Sequence, residues 1–362
     1  MPKKKICFLA QFPPPMHGLS KAVETLYDSK LKDEFEFEKV DLTNNKKFLR
    51  NFMNIWKSNA DLFYFTISQT KSGNIRDLII FKLLSFKKKK CLIHLHGGYY
   101  RKLVDEEMNS LQRKMNYEAI SKLDGTIVLS KSLKPIFQGM ISEDKIYVVP
   151  NCVDDVFFIS DEEFEMKVAS LKEKKVFHVL YLSNFIASKG YLEVLKIAKI
   201  IKEEMILSGV KKYHFNFAGN FFEERDRELF ESYIIENDLE ELITYHGVVG
   251  GEEKKELLKK CDIFILLTRY PKEGQPISIL EAMGNGMVIL TTNHAGIPDI
   301  VRSGVNGYIS VNQDVIEIED WLSKNSSIFP RIVEHNRFEV KEKYTEKVYI
   351  DKMKNIFRDY TH

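Results

Sequence analysis

Glu273 and Glu281 stand eight positions apart, and Gly274, Gln275, Pro276 and Ile277 lie between them. The run from Tyr270 to Gly286 follows an apolar stretch at 263–267 and reads as a loop that opens a helix. Pro276 is expected in the first helical turn, where a missing N–H does no harm. Gly274 lets backbone approach a ligand closely. The free N–H groups at 275–278 and the positive helix end then make an anion site suited to a diphosphate. Two carboxylates beside such a site would repel a phosphate. They suit a neutral, hydroxyl-rich partner instead, because carboxylates are strong hydrogen-bond acceptors. Taken singly, the two glutamates read as an acidic loop and a surface helix; the ordered string is what argues for a site.

Three other places carry chemistry-bearing side chains. Residues 91–100, Cys-Leu-Ile-His-Leu-His-Gly-Gly-Tyr-Tyr, end an expected strand, and His94 and His96 share its parity. Both imidazoles therefore leave one side of the sheet. Such a pair could be half a metal site, but no third ligand or carboxylate motif accompanies it. Residues 12–20 follow the first expected strand and precede a helix, and Gly18 with that helix's N-terminus could let backbone N–H groups touch phosphate. A proline-rich turn without a ligand is the other reading. Residues 182–190 form a strand-to-helix loop with Lys189 near its end, which could equally be a solvated helix-start lysine.

The elements that must position these residues alternate between strand and helix, the pattern of parallel sheets covered by helices. Strands are expected at 5–10, 35–41, 62–66, 91–96, 125–129 and 146–149. A second set falls at 176–182, 214–218, 243–246, 263–267, 287–291 and 307–310. Helical stretches at 191–204, 223–236 and 254–260 lie between them. The rhythm runs twice, so the fold class is α/β with two Rossmann-like doubly wound domains. The alternative is one merged sheet. The division is drawn as 1–158 and 159–344, with a last helix at about 345–362 returning to the first domain. Ligands of such sheets bind at the carboxyl ends of the strands, so a cleft between facing domains is the expected site.

The chain has 362 residues, enough for two cores, with 44% hydrophobic and 29% charged residues. Cys7, Cys91, Cys152 and Cys261 are scattered and form no C-x-x-C pair, which suits a reducing compartment. The apolar run after the basic start is too short for a signal sequence, and no stretch reaches the length of a membrane span. Residues 1–155 hold 26 Lys and Arg against 18 Asp and Glu, a net of +8, whereas residues 156–362 hold 28 against 34, a net of −6. The two halves are expected to meet different partners.

The string from Tyr270 to Gly286 resembles the E-x7-E motif of the family-four retaining glycosyltransferases, which have the GT-B fold. Residues 288–301 and 304–307 continue the same pattern, so the resemblance is strong over most of 180–310 and weaker over the first half. It implies that Glu273 contacts hydroxyls of a donor sugar and that Glu281 binds the ribose of its nucleotide. It implies that His96 contacts the donor sugar near the reacting centre, with His94 a packed neighbour. In the family a Arg and a Lys five apart grip the diphosphate. Lys189 matches the Lys, but Asn184 stands at the Arg position, so one positive charge is missing and Arg269 or Lys272 are the candidate substitutes. Gly18 matches the second glycine of a pair whose first position is His17 here. Asn220 and Val248 match loops that flank the nucleotide base, and Ser130 lies near the donor.

The resemblance thus implies an enzyme that moves a hexose-type sugar from a nucleotide diphosphate sugar to a hydroxyl acceptor with retention, in cell-surface polysaccharide or glycolipid assembly. No Asp-x-Asp occurs in the chain, so neither a metal nor another cofactor is expected, and Lys189, helix N-termini and amides must offset the leaving-group charge. A non-catalytic sugar-nucleotide-binding protein and another GT-B enzyme, such as an epimerase, are the rival readings. Residues 44–57 hold four basic and no acidic residues among apolar ones, and 86–90 add a basic patch. A glycan or lipid-linked acceptor and an anionic membrane surface are therefore expected partners, against an ordinary domain helix. Nucleic acid is not expected, because no nucleic-acid module accompanies the charge. The expected location is the cytoplasm, with peripheral attachment to the inner face of the cell membrane as a further expectation.

Overall fold

Short apolar runs bounded by turn residues become strands, those in the middle of each sheet buried on both faces, and among the described residues every pairing between these strands is parallel. The computed structural model describes residues 2–14 and 18–361. The expectation attached to His17 lies outside these residues. The first sheet contains β1 (Lys4–Ala10), β2 (Phe35–Asp41), β3 (Leu62–Thr66), β4 (Lys90–Leu95), β5 (Gly125–Val128) and β6 (Ile146–Val148), in the order β2-β1-β3-β4-β5-β6. The second contains β7 (Phe177–Leu182), β8 (Tyr213–Ala218), β9 (Ile243–Tyr245), β10 (Ile263–Leu266), β11 (Val288–Thr292) and β12 (Gly307–Ser310), in the order β12-β11-β10-β7-β8-β9. The two sheets are separate, so the merged-sheet alternative falls.

Each sheet reverses its strand order once. In the first, β2 lies on one side of β1 and β3 to β6 run away on the other. In the second, β8 and β9 depart from one side of β7, and β10 to β12 from the other. Ligand crevices of doubly wound sheets form at such reversals, outside the carboxyl ends of the strands. They fall here between β1 and β3, and between β7 and β10.

The chain divides into two compact units. One holds Met1–Cys152, Lys272–Gln275 and Glu346–His362; the other holds Val153–Pro271 and Pro276–Thr345. The second unit thus begins at Val153 rather than at 159. Val153 donates its N–H to the Tyr344 carbonyl at 2.8 Å and bridges Thr345, which fixes it to that unit. Residues 272–275 leave their sequence neighbours and count with the first unit, an excursion without compositional signal.

In the first unit Ile6, Phe8 and Ala10 face Val23, Leu26 and Phe357, while Phe65 meets Phe81 edge-on at 5.1 Å from the other side of the sheet. The last helix, Glu346–Thr361, buries Tyr349, Met353, Ile356 and Phe357 in this core. Each of these side chains contributes about 1.5–3 kcal/mol by burial. Lys90 Nζ donates to the Tyr360 carbonyl at 2.8 Å, and the Tyr147 and Tyr360 hydroxyls meet at 2.8 Å. No helix among the described residues is long and apolar enough to cross a membrane.

Candidate functional site

In the second unit the loops that follow β7 and β10 are bound together by backbone. Gly190 has φ +82°, and a Cβ there would lie 2.2 Å from the Leu267 carbonyl oxygen. Only glycine permits that approach and that dihedral. Arg269 donates its N–H to the Ser188 carbonyl at 2.7 Å, and Lys189 donates its own to Ile186 at 2.7 Å. Lys189 is thereby held at the reversal point, with Nζ 4.9 Å from the centre of the Tyr270 ring. Tyr270 is itself fixed, since its carbonyl lies 2.8 Å from His294 Nε2. Thr291 Oγ1 donates to Leu266 at 2.9 Å and Thr292 Oγ1 to Thr268 at 2.5 Å, which ties β11 to the same loop.

The helix that follows runs Ile277–Gly284, and no side chain caps its start. Pro276 is the N-cap, with φ −64° and ψ 118°, rather than a member of the first turn. The reason is local: ψ is extended, so helical geometry begins only at Ile277. The amino end of this helix is an anion-attracting feature of the same loop system. Glu281 lies one turn in and is 4% exposed. Its Oε1 accepts from Lys254 Nζ at 2.7 Å, and Lys254 also covers the Phe157 ring at 4.2 Å. Lys254 escaped the reading of the sequence because its partner is distant in the chain and no motif marks it.

The remaining second-unit positions sit where β7, β8 and β9 end. Asn184 is exposed; its carbonyl accepts from the Tyr181 hydroxyl at 3.1 Å. The Asn220 carbonyl accepts from Phe185 N at 2.9 Å, and Gly219 N donates to Gly247 at 2.8 Å, beside exposed Val248. A Cβ on Gly219 would strike the Ser183 carbonyl oxygen at 1.9 Å. Arg269, one candidate for the missing charge at Asn184, is exposed and reaches the Val311 carbonyl at 3.4 Å.

In the first unit Glu273, Gly274 and Gln275 lie against the end of β4. A Cβ on Gly274 would sit 2.6 Å from the His96 carbonyl oxygen and 3.1 Å from Gly97 Cα; one on Gly97 would sit 2.6 Å from the Lys272 carbonyl oxygen. Two missing side chains thus allow backbone to lie on backbone, and Glu273 is held at that contact, 8% exposed. Asn151 completes the anchorage. Its N–H donates to Gln275 Oε1 and its Nδ2 to the Gln275 carbonyl, both at 2.8 Å. The Gln275 amide oxygen is therefore a tether. Gln69 Oε1 accepts from Tyr99 N at 2.8 Å and holds the turn beyond His96. Gly97, Gln69 and Asn151 were not singled out from sequence, since their pairings join distant stretches of chain.

His96 follows β4 directly, half-buried, and its ring lies 3.9 Å from that of His94. His94 is fully buried, and its Nδ1 is 2.7 Å from the Tyr64 hydroxyl. Burial, with neighbouring His96 second, holds the His94 pKa well below the ordinary histidine value, so it is a neutral packing partner. Gly18 opens the helix Gly18–Tyr27 and is exposed. The described positions are thus gathered in two sets. Lys189, Asn184, Asn220, Val248, Pro276, Ile277 and Glu281 belong to the second unit, whereas Gly18, His96, Glu273, Gly274 and Gln275 belong to the first.

Known proteins resemble this chain in sequence and in fold. The family described as "Glycosyl transferases group 1" matches residues 162–327. An uncharacterized glycosyltransferase of Methanocaldococcus jannaschii is 26% identical over 86% of this chain and 79% of its own length. The amylovoran biosynthesis glycosyltransferase AmsK of Erwinia amylovora is 26% identical over 43% of this chain and 37% of its own. The crystal structure of Anabaena HepE in complex with UDP and glucose superposes with a TM-score of 0.73 at 14% identity, covering 98% of this chain and 100% of that one. Fold and similarity together support a glycosyltransferase of GT-B architecture.

Proposed function

We propose that this chain is a retaining, metal-independent hexosyltransferase that takes its sugar from a nucleotide diphosphate donor and delivers it to a glycan or lipid-linked hydroxyl. Its place is cell-surface polysaccharide or glycolipid assembly, from the cytoplasm at the inner face of the membrane. The observation that carries the reading is the loop system at the β7–β10 reversal: the Lys189 loop is hydrogen-bonded to Arg269, and the uncapped start of the helix Ile277–Gly284 belongs to the same compact unit. A cation and a row of N–H groups suit a pyrophosphate. The complexes of HepE with UDP and of a pneumococcal O-GlcNAc transferase with UDP and GlcNAc support a nucleotide-sugar donor.

In this reading Lys189 and the helix amides offset the charge that grows on the departing diphosphate, the largest demand of the reaction. Glu281 takes the ribose hydroxyls, with Lys254 compensating its charge. Glu273 and His96 hold the sugar, the first through its hydroxyls and the second near the reacting carbon. Asn220 and Val248 flank the base, while Asn184, Gly274 and Gln275 shape the donor loops and Gly18 offers an amide to phosphate. The acceptor oxygen bonds to the anomeric carbon on the face that the diphosphate leaves, and its proton passes to a departing phosphate oxygen. Configuration is kept without a covalent sugar–protein bond.

The experiment is a thermal-shift screen against UDP-, GDP-, ADP- and dTDP-sugars, followed by transfer assays on the donor that binds. Lys189→Ala should weaken that donor on the order of tenfold to a hundredfold, the value of a charge-assisted contact. Glu273→Gln and His96→Ala should abolish transfer, and EDTA should leave it intact. Loss of activity in chelator with recovery in manganese would refute the metal-free mechanism. An inverted anomeric signal in the product would refute retention.

A further inference from the structure

The helix Phe48–Lys57 is fastened to the first unit by one face only. Asn51 and Ile55 are buried, and Asn51 Nδ2 donates to the Asp41 carbonyl at 2.7 Å. Its other face carries Leu49, Met53 and Trp56, which are 79%, 50% and 46% exposed and recur at helical spacing. A helix of a soluble domain ordinarily turns its apolar stripe inward. Here part of it points outward and continues onto a second helix, Lys71–Phe86. The Trp56 and Phe86 rings stack at 6.2 Å with an 18° interplanar angle, and Phe86 is 76% exposed. Lys87 Nζ joins the two helix ends by donating to the Trp56 carbonyl and, at 2.9 Å, to the Ser58 carbonyl.

The charge around this stripe has one sign. Lys46, Lys47, Arg50 and Lys57 are exposed on the first stretch, and Lys82, Lys88 and Lys90 on the second. Within 42–60 and 67–90 the sole acidic residue is Asp77, which is buried and paired with Arg76 at 2.8 Å. No exposed carboxylate in these stretches opposes an anionic surface. Large apolar side chains ringed by lysines match a headgroup region, where aromatic rings enter the interface and ammonium groups meet lipid phosphate.

We propose that this face docks on an anionic lipid bilayer, with Leu49, Met53, Trp56 and Phe86 entering the headgroup layer and Lys46, Lys47, Arg50 and Lys57 holding the lipid phosphates. This deepens the membrane element of the function proposed above. It rests on no step of the transfer chemistry, and binding is read without substrate, so either reading can fail alone.

The test uses the full chain and vesicles of phosphatidylcholine with and without phosphatidylglycerol. Co-sedimentation should appear with the anionic vesicles only and weaken with salt. Lys46→Ala, Lys47→Ala and Arg50→Ala together should weaken it roughly a hundredfold, at about fivefold per charge. Leu49→Asp with Met53→Asp should abolish it, and both positions are exposed enough to leave the fold intact. The chain has two tryptophans. In a Trp321→Phe background the emission of Trp56 should shift to the blue on anionic vesicles. Failure to bind those vesicles, binding that both variant sets leave unchanged, or an unshifted Trp56 emission would each overturn the proposal. So would a dimer in solution that Leu49→Asp with Met53→Asp converts to monomer, since a second copy would then cover the face.

Discussion

Gly274→Ala adds one methyl group where there is no room for it. The new carbon would lie 2.6 Å from the His96 carbonyl oxygen and 3.0 Å from Leu129 Cδ1. Leucine can rotate away; a backbone carbonyl cannot. Ordinary van der Waals contact begins at 3.4 Å, so loop and turn must part by 3.4 − 2.6, about 0.8 Å. Gly274 is not among the glycines with positive φ, so the effect is steric and not one of backbone strain. Overpacking of this kind costs on the order of 1–3 kcal/mol of stability. Its effect on rate should be larger in proportion, because a misplacement near 1 Å at a reacting centre costs about a hundredfold. Glu273 precedes the clash and His96 is part of it. We expect kcat to fall roughly tenfold to a hundredfold, while affinity for the free nucleotide, held through second-unit residues, stays within about twofold. Steady-state transfer, calorimetric nucleotide titration and a urea melt measure the three quantities. A folded Gly274→Ala protein with wild-type kcat would refute the idea that this backbone contact sets the position of Glu273.

Two further outcomes follow from the second unit. Lys254→Met leaves the Glu281 carboxylate buried without its ion-pair partner and should cost about 2–3 kcal/mol by urea denaturation, less than a fully buried pair because Lys254 keeps some solvent contact; adding Glu281→Gln should restore most of it. His178, His214 and His246 cluster about Asn216, and burial, joined by the charge of Lys260, lowers the pKa of each, that of His178 to about 4. A depressed histidine pKa means that the unfolded chain binds more protons than the folded one, so stability is full above about pH 6.5 and is lost as pH falls toward 4. Thermal melts across that range should show the decline, and His178→Gln should remove its largest part.

The features legible in the sequence are those carried by contiguous residues. Central strands such as β3 and β10 are apolar runs buried on both faces, so composition alone marks them, and the expected strands lie within a residue or two of those observed. The loop proposed to hold a diphosphate stands out in the sequence because glycine, proline and the helix start follow one another without a gap. Strand parity was enough to set His94 beside His96. What stayed hidden depends on pairs far apart in the chain: Asn151 with Gln275, Lys254 with Glu281, and the backbone of residue 272 lying on Gly97. None of these residues has an unusual local sequence. Gly97 in particular reads as a turn glycine, whereas its requirement comes from a carbonyl that would lie 2.6 Å from any Cβ placed there. A glycine needed for close approach looks the same in sequence as one needed for φ, and only the fold separates them. The same limit explains the excursion of residues 272–275. Four residues change neither hydropathy nor charge enough to register, yet two amide hydrogen bonds and two absent side chains assign them to the first unit, and with them the carboxylate of Glu273.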